Sequence, residues 1–197
     1  MISNKIKLYL IIFFFIFFGL SNLYSDDYHT FLKNKADQGD AISQNDLGHM
    51  YLDGFPDYNI PQDNDKAILY LNKAAAQNQI NAMTTVGWAY FTGKYGATQN
   101  FDEALGWTKK ASVLGCSIAS YNLGLFYYGG LADLDQDLVE AKKYWLLSAS
   151  QYIDPKQQCI ADPEELLEEI NKYVPNPSKK MIELRDFFIS LLKSKPI

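Results

Sequence analysis

A threefold internal register constrains this chain more than any other feature. The segment Asp46-Leu47-Gly48-His49-Met50-Tyr51 recurs as Thr85-Val86-Gly87-Trp88-Ala89-Tyr90 and as Asn122-Leu123-Gly124-Leu125-Phe126-Tyr127. Six residues beyond each central glycine stands another: Gly54, Gly93 and Gly130. A second block follows as Gln62-Asp63-Asn64-Asp65-Lys66-Ala67, Gln99-Asn100-Phe101-Asp102-Glu103-Ala104 and Gln136-Asp137-Leu138-Val139-Glu140-Ala141. The closing alanines are 37 and 37 residues apart and the central glycines 39 and 37, so two extra residues fall in the first loop. Columns kept over three copies define a repeat array, in which each unit buries its apolar face against its neighbours.

Each copy reads as two helices. In the first, an apolar residue precedes the central glycine and an aromatic follows it by three, so both share a side. A mid-helix glycine costs about 1 kcal/mol relative to alanine. Three of them imply that another helix crosses too closely for a side chain. The later glycines Gly54, Gly93 and Gly130 fit left-handed helix stops. Asp63, Asn100 and Asp137 open the second helices by accepting bonds from free first-turn amides, and Glu103 and Glu140 are spaced to close capping boxes. Tyr70, Trp107 and Tyr144 follow the alanines by three, and Ala74, Ala111 and Ser148 by seven, forming a packing stripe. Asn78 and Gly115 suit the stop of the second helix. Tyr152 stands there in the third copy, where the chain is expected to leave the array.

Read backwards, Gly39 ends a helix running from about Asp27, with Tyr28, Phe31, Leu32 and Ala36 as its packing face. Read forwards, the columns vanish after Pro155. Asp162-Pro163 and Asn176-Pro177-Ser178 then open two further helices. Met181, Leu184, Phe188, Leu191 and Leu192 line one face of the last, which is expected to cap the open end of the array. The expected organisation is all-α. A leader over 1–25 precedes a solenoid over 26–152, whose half-repeat is followed by repeats at about 39–77, 78–114 and 115–151. Capping helices fill 153–197.

The leader has Lys5 and Lys7, then an apolar run from Leu8 to Leu20 broken by Tyr9 and Gly19, then small residues at Ser21 and Ser25. That order is a secretory signal peptide, and the run is shorter than the roughly 20 apolar residues that span a bilayer comfortably. Cleavage after Ser21 or Ser25 is the first expectation, an uncleaved anchor the second. No cysteine lies near for lipid modification. The net charge of −5 becomes −7 without the two leader lysines, and only one of the 18 basic residues is arginine, Arg185. Such a surface repels phosphate backbones, so nucleic-acid binding is not expected. Export would place the mature chain in a periplasm or outside the cell, an oxidising space. Cys116 and Cys159 are either one disulfide or two small buried side chains.

These residues resemble the Sel-one-like repeat family, a relative of the tetratricopeptide repeats. Its pattern, roughly Gly-x-Ala-x-Ala-Gln-x-x-Leu-Gly-x-x-Tyr-x-x-Gly and then Lys-Ala-x-x-Trp-Tyr-x-Lys-Ala-Ala, is closest at Gly39-Asp40-Ala41-Ile42-Ser43-Gln44 leading to Leu47-Gly48. Asn78 replaces the leading glycine of the second copy, and Ser148-Ala149 the alanine pair of the third. The resemblance covers about residues 28–151. It implies a right-handed α/α superhelix with the first helix of each pair lining a concave face, and a binding or scaffolding role. Cysteine-rich relatives staple each repeat with a disulfide; here Ser112 stands where the partner of Cys116 would be.

Catalytic chemistry is sparse. His29 and His49 are the only histidines and share no metal-ligand spacing with each other or a cysteine. Asp133-Leu134-Asp135-Gln136-Asp137 opens like a calcium loop, but Leu138 replaces its glycine and Tyr144 its final glutamate. No nucleophile-elbow, zinc-protease or phosphate-loop motif is present. The expectation is a protein without enzymatic activity, cofactor or metal. In the tetratricopeptide relatives, residues three before and one and four after the central glycine face the groove. Here these are Asn45, His49 and Leu52; Thr84, Trp88 and Phe91; and Tyr121, Leu125 and Tyr128. Leu52, Phe91 and Leu125 divide evenly between groove and core, whereas Trp88 and Tyr121 carry the polar handle favoured at interfaces. The expected partner is a protein or peptide, with membrane contact only through an uncleaved leader. An envelope or peptidoglycan-associated factor and a membrane-anchored structural protein are the alternatives.

Overall fold

The computed structural model describes residues 28–58, 60–151 and 163–194. They form α1 over residues 28–37, α2 (Ala41–Asp53), α3 (Asn64–Ala76), α4 (Ile80–Thr92), α5 (Phe101–Val113), α6 (Ser117–Gly129), α7 (Leu138–Gln151), α8 (Pro163–Tyr173) and α9 (Lys179–Lys193). Among the described residues the only strand-like pairing is an isolated bridge, Phe55 to Ile60, and no helix is long and apolar enough to cross a membrane. α2 packs on α3, α4 on α5 and α6 on α7, while α3 meets α4 and α5 meets α6, which makes a solenoid of helix pairs. The leader, Tyr152 and Cys159 lie outside the described residues.

The repeated columns each have a physical job. A Cβ on Gly48 would lie 2.7 Å from Cγ of Leu71, and one on Gly87 2.7 Å from Oγ1 of Thr108. Both neighbours stand on the second helix of the same repeat, so the central glycine sets the closeness of each pair. The alanines Ala67, Ala104 and Ala141 are fully buried for the same reason: there is no room for more. Asp63, Asn100 and Asp137 accept side-chain bonds from the amides of Lys66, Glu103 and Glu140. Glu140, spaced for a capping box, instead directs its carboxylate forward to Lys143 at 3.0 Å.

The glutamine column closes the other end. Gln62, Gln99 and Gln136 each donate from Nε2 to the carbonyl eight or ten residues back, that of Leu52, Phe91 and Tyr128, at 2.8, 2.9 and 3.1 Å. Those carbonyls lie in the last turn of the first helix, where no intrahelical amide reaches them. One residue on, the backbone N–H of Asp63, Asn100 and Asp137 donates to the carbonyl of Tyr51, Tyr90 and Tyr127. Two bonds per repeat thus pin the loop base. Gly93 and Gly130 take the expected left-handed conformation. Gly54 departs from it with φ 70° and ψ 133°, because the longer first loop continues extended into the Phe55–Ile60 bridge.

The two ends of the array are closed unequally. On α1 only Leu32 and Ala36 of the expected packing face are buried; Tyr28 and Phe31 stay exposed, because no further helix precedes α1 among the described residues to cover them. At the C-terminal end α9 packs on α7 as α4 packs on α3 and α6 on α5, so it takes the place of the first helix of a fourth repeat. Met181, Phe188, Ile189 and Leu192 are its buried face. Ser178 caps it by accepting from the Met181 amide.

Candidate functional site

The nine first-helix positions fare differently in each repeat. On α2, Asn45 and Leu52 are each 9% exposed and His49 is half-buried. On α4, Thr84 and Trp88 are half-buried and Phe91 is buried against Phe126 of α6, ring centroids 4.6 Å apart. On α6, Tyr121, Leu125 and Tyr128 are buried outright. This corrects the expectation that Tyr121 and Tyr128 line an open groove, and it assigns Leu125, a groove candidate divided between groove and core, to the core. The physical reason is α9. Phe188 stacks on Trp145 at 5.0 Å and on Tyr121 at 6.0 Å, and the Trp145 indole donates to the Tyr121 carbonyl. Large aromatics left facing the end of an array are covered by whatever caps it. Repeat columns alone carry no sign of that cover, although the apolar stripe of α9 does.

The open part of the face belongs to the first two repeats. Burial draws the His49 imidazole below its ordinary value of 6.5, against the opposing pull of Asp53 and Asp46, so the ring is neutral at pH 7. A neutral ring offers one donor and one acceptor. The Asn45 amide donates to Asp46, while its oxygen Oδ1 is enclosed without a hydrogen-bond partner. Leaving such an acceptor unmet costs about 1–3 kcal/mol. Trp88 and Phe91 lie 5.2 Å apart and form an aromatic shelf in the middle of the array. No comparable ring pair occupies these columns in the other repeats, where His49 and Leu52, or Leu125 and Tyr128, stand.

Cys116 opens α6: its sulfur accepts from the Ala119 amide, lies 3.2 Å from the Thr84 hydroxyl, and is disulfide-bonded. Ser112 pairs with the Ser120 hydroxyl at 2.7 Å. Asp137, the last acid of the calcium-like run, is committed to capping α7 through the amides of Val139 and Glu140.

Repeating helix pairs, glycine-tight crossings and a face of aromatic and amide side chains define a helical-repeat scaffold. The family model for the Sel1 repeat matches residues 41–79, 80–116 and 117–152, and the chain belongs to the Sel1 repeat family. Its fold is similar to the crystal structure of a Sel1 repeat protein from Oxalobacter formigenes, with a TM-score of 0.54 and 28% identity over 73% of this chain and 97% of that one. A second similar structure is c5321, a protective antigen of uropathogenic Escherichia coli strains displaying an SLR fold. The TM-score is 0.44 and the identity 20%, over 85% of this chain and 40% of that one. No curated protein matches. Sel1 repeat proteins generally mediate protein–protein interaction.

Proposed function

We propose that this chain is an exported adaptor that receives a protein or peptide on the first-helix face of its first two repeats, around Asn45, His49, Thr84 and Trp88. The observation that carries the site is the buried, unpartnered Oδ1 of Asn45 beside half-open His49 on the same helix. A backbone or side-chain N–H from a partner would satisfy it once the Asn45 amide turns outward, and repeat arrays use such faces to bind extended segments. Export rests on the charged, apolar and small-residue order of residues 1–25. A disulfide-bonded Cys116 supports it, because such bonds persist in oxidising compartments.

The test is a crosslinking pull-down from the native envelope with the wild-type chain beside Asn45→Leu and Trp88→Ala. A protein retained by the wild type and lost from both variants supports the reading. An identical captured set for all three overturns it. N-terminal sequencing of the protein from cells should find a start near Asn22 or Asp26, and intact Met1 chain in the cytosol would refute export.

A further inference from the structure

The C-terminal helices reach further than a cap requires. The end of the third repeat is already sealed by α9, whose Phe188 lies against Trp145 and Tyr121. α8 nonetheless sends Tyr173 past the third repeat to the second. The Tyr173 ring stands edge-on to Trp88, with centroids 5.5 Å apart and planes at 89°, and meets Phe91 at 5.4 Å and 61°. The crossing needs room at Gly129, where a Cβ would lie 2.9 Å from Cγ2 of Val174. Edge-to-face contact is the arrangement aromatic rings choose when one is received by others. Trp88 still remains partly open beside Tyr173, which leaves a competitor a place to begin.

We propose that the Trp88–Phe91 shelf is a subsite for one aromatic side chain, held in this chain by Tyr173, and that the partner presents an aromatic residue that takes the place of Tyr173. The proposal rests on the protein-binding reading above and adds the chemistry of the partner. An intramolecular occupant acts as a high local concentration of ligand, so a partner must compete with it and binds more weakly while it is in place.

The experiment needs no native partner. Its probe is a synthetic peptide of residues Pro163–Ser178 of this chain, titrated onto the full-length wild type and onto Tyr173→Ala. The variant is expected to bind the probe at least ten-fold more tightly than the wild type, and a probe carrying the same Tyr→Ala change to lose at least ten-fold. Thermal unfolding of Tyr173→Ala should stay close to the wild type, while Phe188→Ala falls well below both. Equal probe binding by the two proteins, or none by either, overturns the proposal. So does a Tyr173→Ala melt as low as that of Phe188→Ala, because Tyr173 would then be core. A shelf that takes the probe while the pull-down captures the same set for all three chains keeps the aromatic subsite and its occupation by Tyr173, and overturns the adaptor reading together with displacement by a partner.

Discussion

A Cβ on Gly124 would lie 2.9 Å from Cγ of Trp145 and closer still to Cδ1 and Nε1. The indole therefore occupies the space a side chain at residue 124 would need. Gly124→Ala should destabilise the chain by about 1–3 kcal/mol through overpacking, despite the better helix propensity of alanine. Gly106, on α5, has nothing within 4 Å of its Cβ direction. Gly106→Ala should therefore stabilise, by about 0.5–1 kcal/mol. Chemical denaturation of both variants checks the pair, and shifts of the same sign would refute the crossing argument.

The glutamine column gives a second expectation. Gln99→Ala removes the bond to the Phe91 carbonyl and should cost about 0.5–1.5 kcal/mol, with little change in helix content by circular dichroism. An unchanged denaturation midpoint would show that the backbone bond from Asn100 to Tyr90 holds the loop base alone.

Deleting residues 176–197 should lower the melting midpoint or drive aggregation, because it bares Tyr121, Leu125, Tyr128 and Trp145 together. The single change Phe188→Ala should cost about 3–5 kcal/mol, as for other fully buried aromatics. A truncated chain that stays monomeric with an unchanged midpoint would show that α9 is dispensable to the array.

Acid and alkali should each weaken the N-terminal half-repeat, by different groups. Hydrogen bonds from Lys33 and Tyr70 hold the Asp37 carboxyl below its ordinary 3.8. A depressed carboxylate stabilises the fold above its unfolded value, and the benefit is lost as pH falls through the folded one. Burial, with the bond to Asp37, raises the Tyr70 phenol from 10.0 to about 12. Its contribution is complete below pH 10 and is lost as pH climbs toward about 12. Melting midpoints across pH should therefore fall below about pH 4 and above about pH 10, and Tyr70→Phe should flatten the alkaline limb.

Cys116 is disulfide-bonded, and the sequence holds one other cysteine, Cys159. Peptide mapping without reductant should find their two peptides joined, and separated once reductant is added. Two alkylated free thiols in the native protein would contradict the bond.

The repeat register announced the helix pairs, because each column answers to a local rule: a cap at Asp63, a stop at Gly93, a close crossing at Gly87. Gln62, Gln99 and Gln136 were visible as a column without a visible job, since the carbonyls they satisfy are backbone and leave no trace in sequence. The half-open first-helix positions were legible at His49 and Trp88. Tyr121 and Tyr128 were misread as open, because their exposure depends on α9, a helix far later in the chain. A column position fixes the direction of a side chain but not what covers it.

The two residues added to the first loop have a practical corollary. Gln62 to Leu52 and Asp63 to Tyr51 clamp the base of that loop as their counterparts clamp the shorter ones, so its length is decoupled from the placement of α2 and α3. Beside the exposed Pro56 an epitope, a fluorophore tag or a longer natural insertion should be accepted with α2 and α3 left in place.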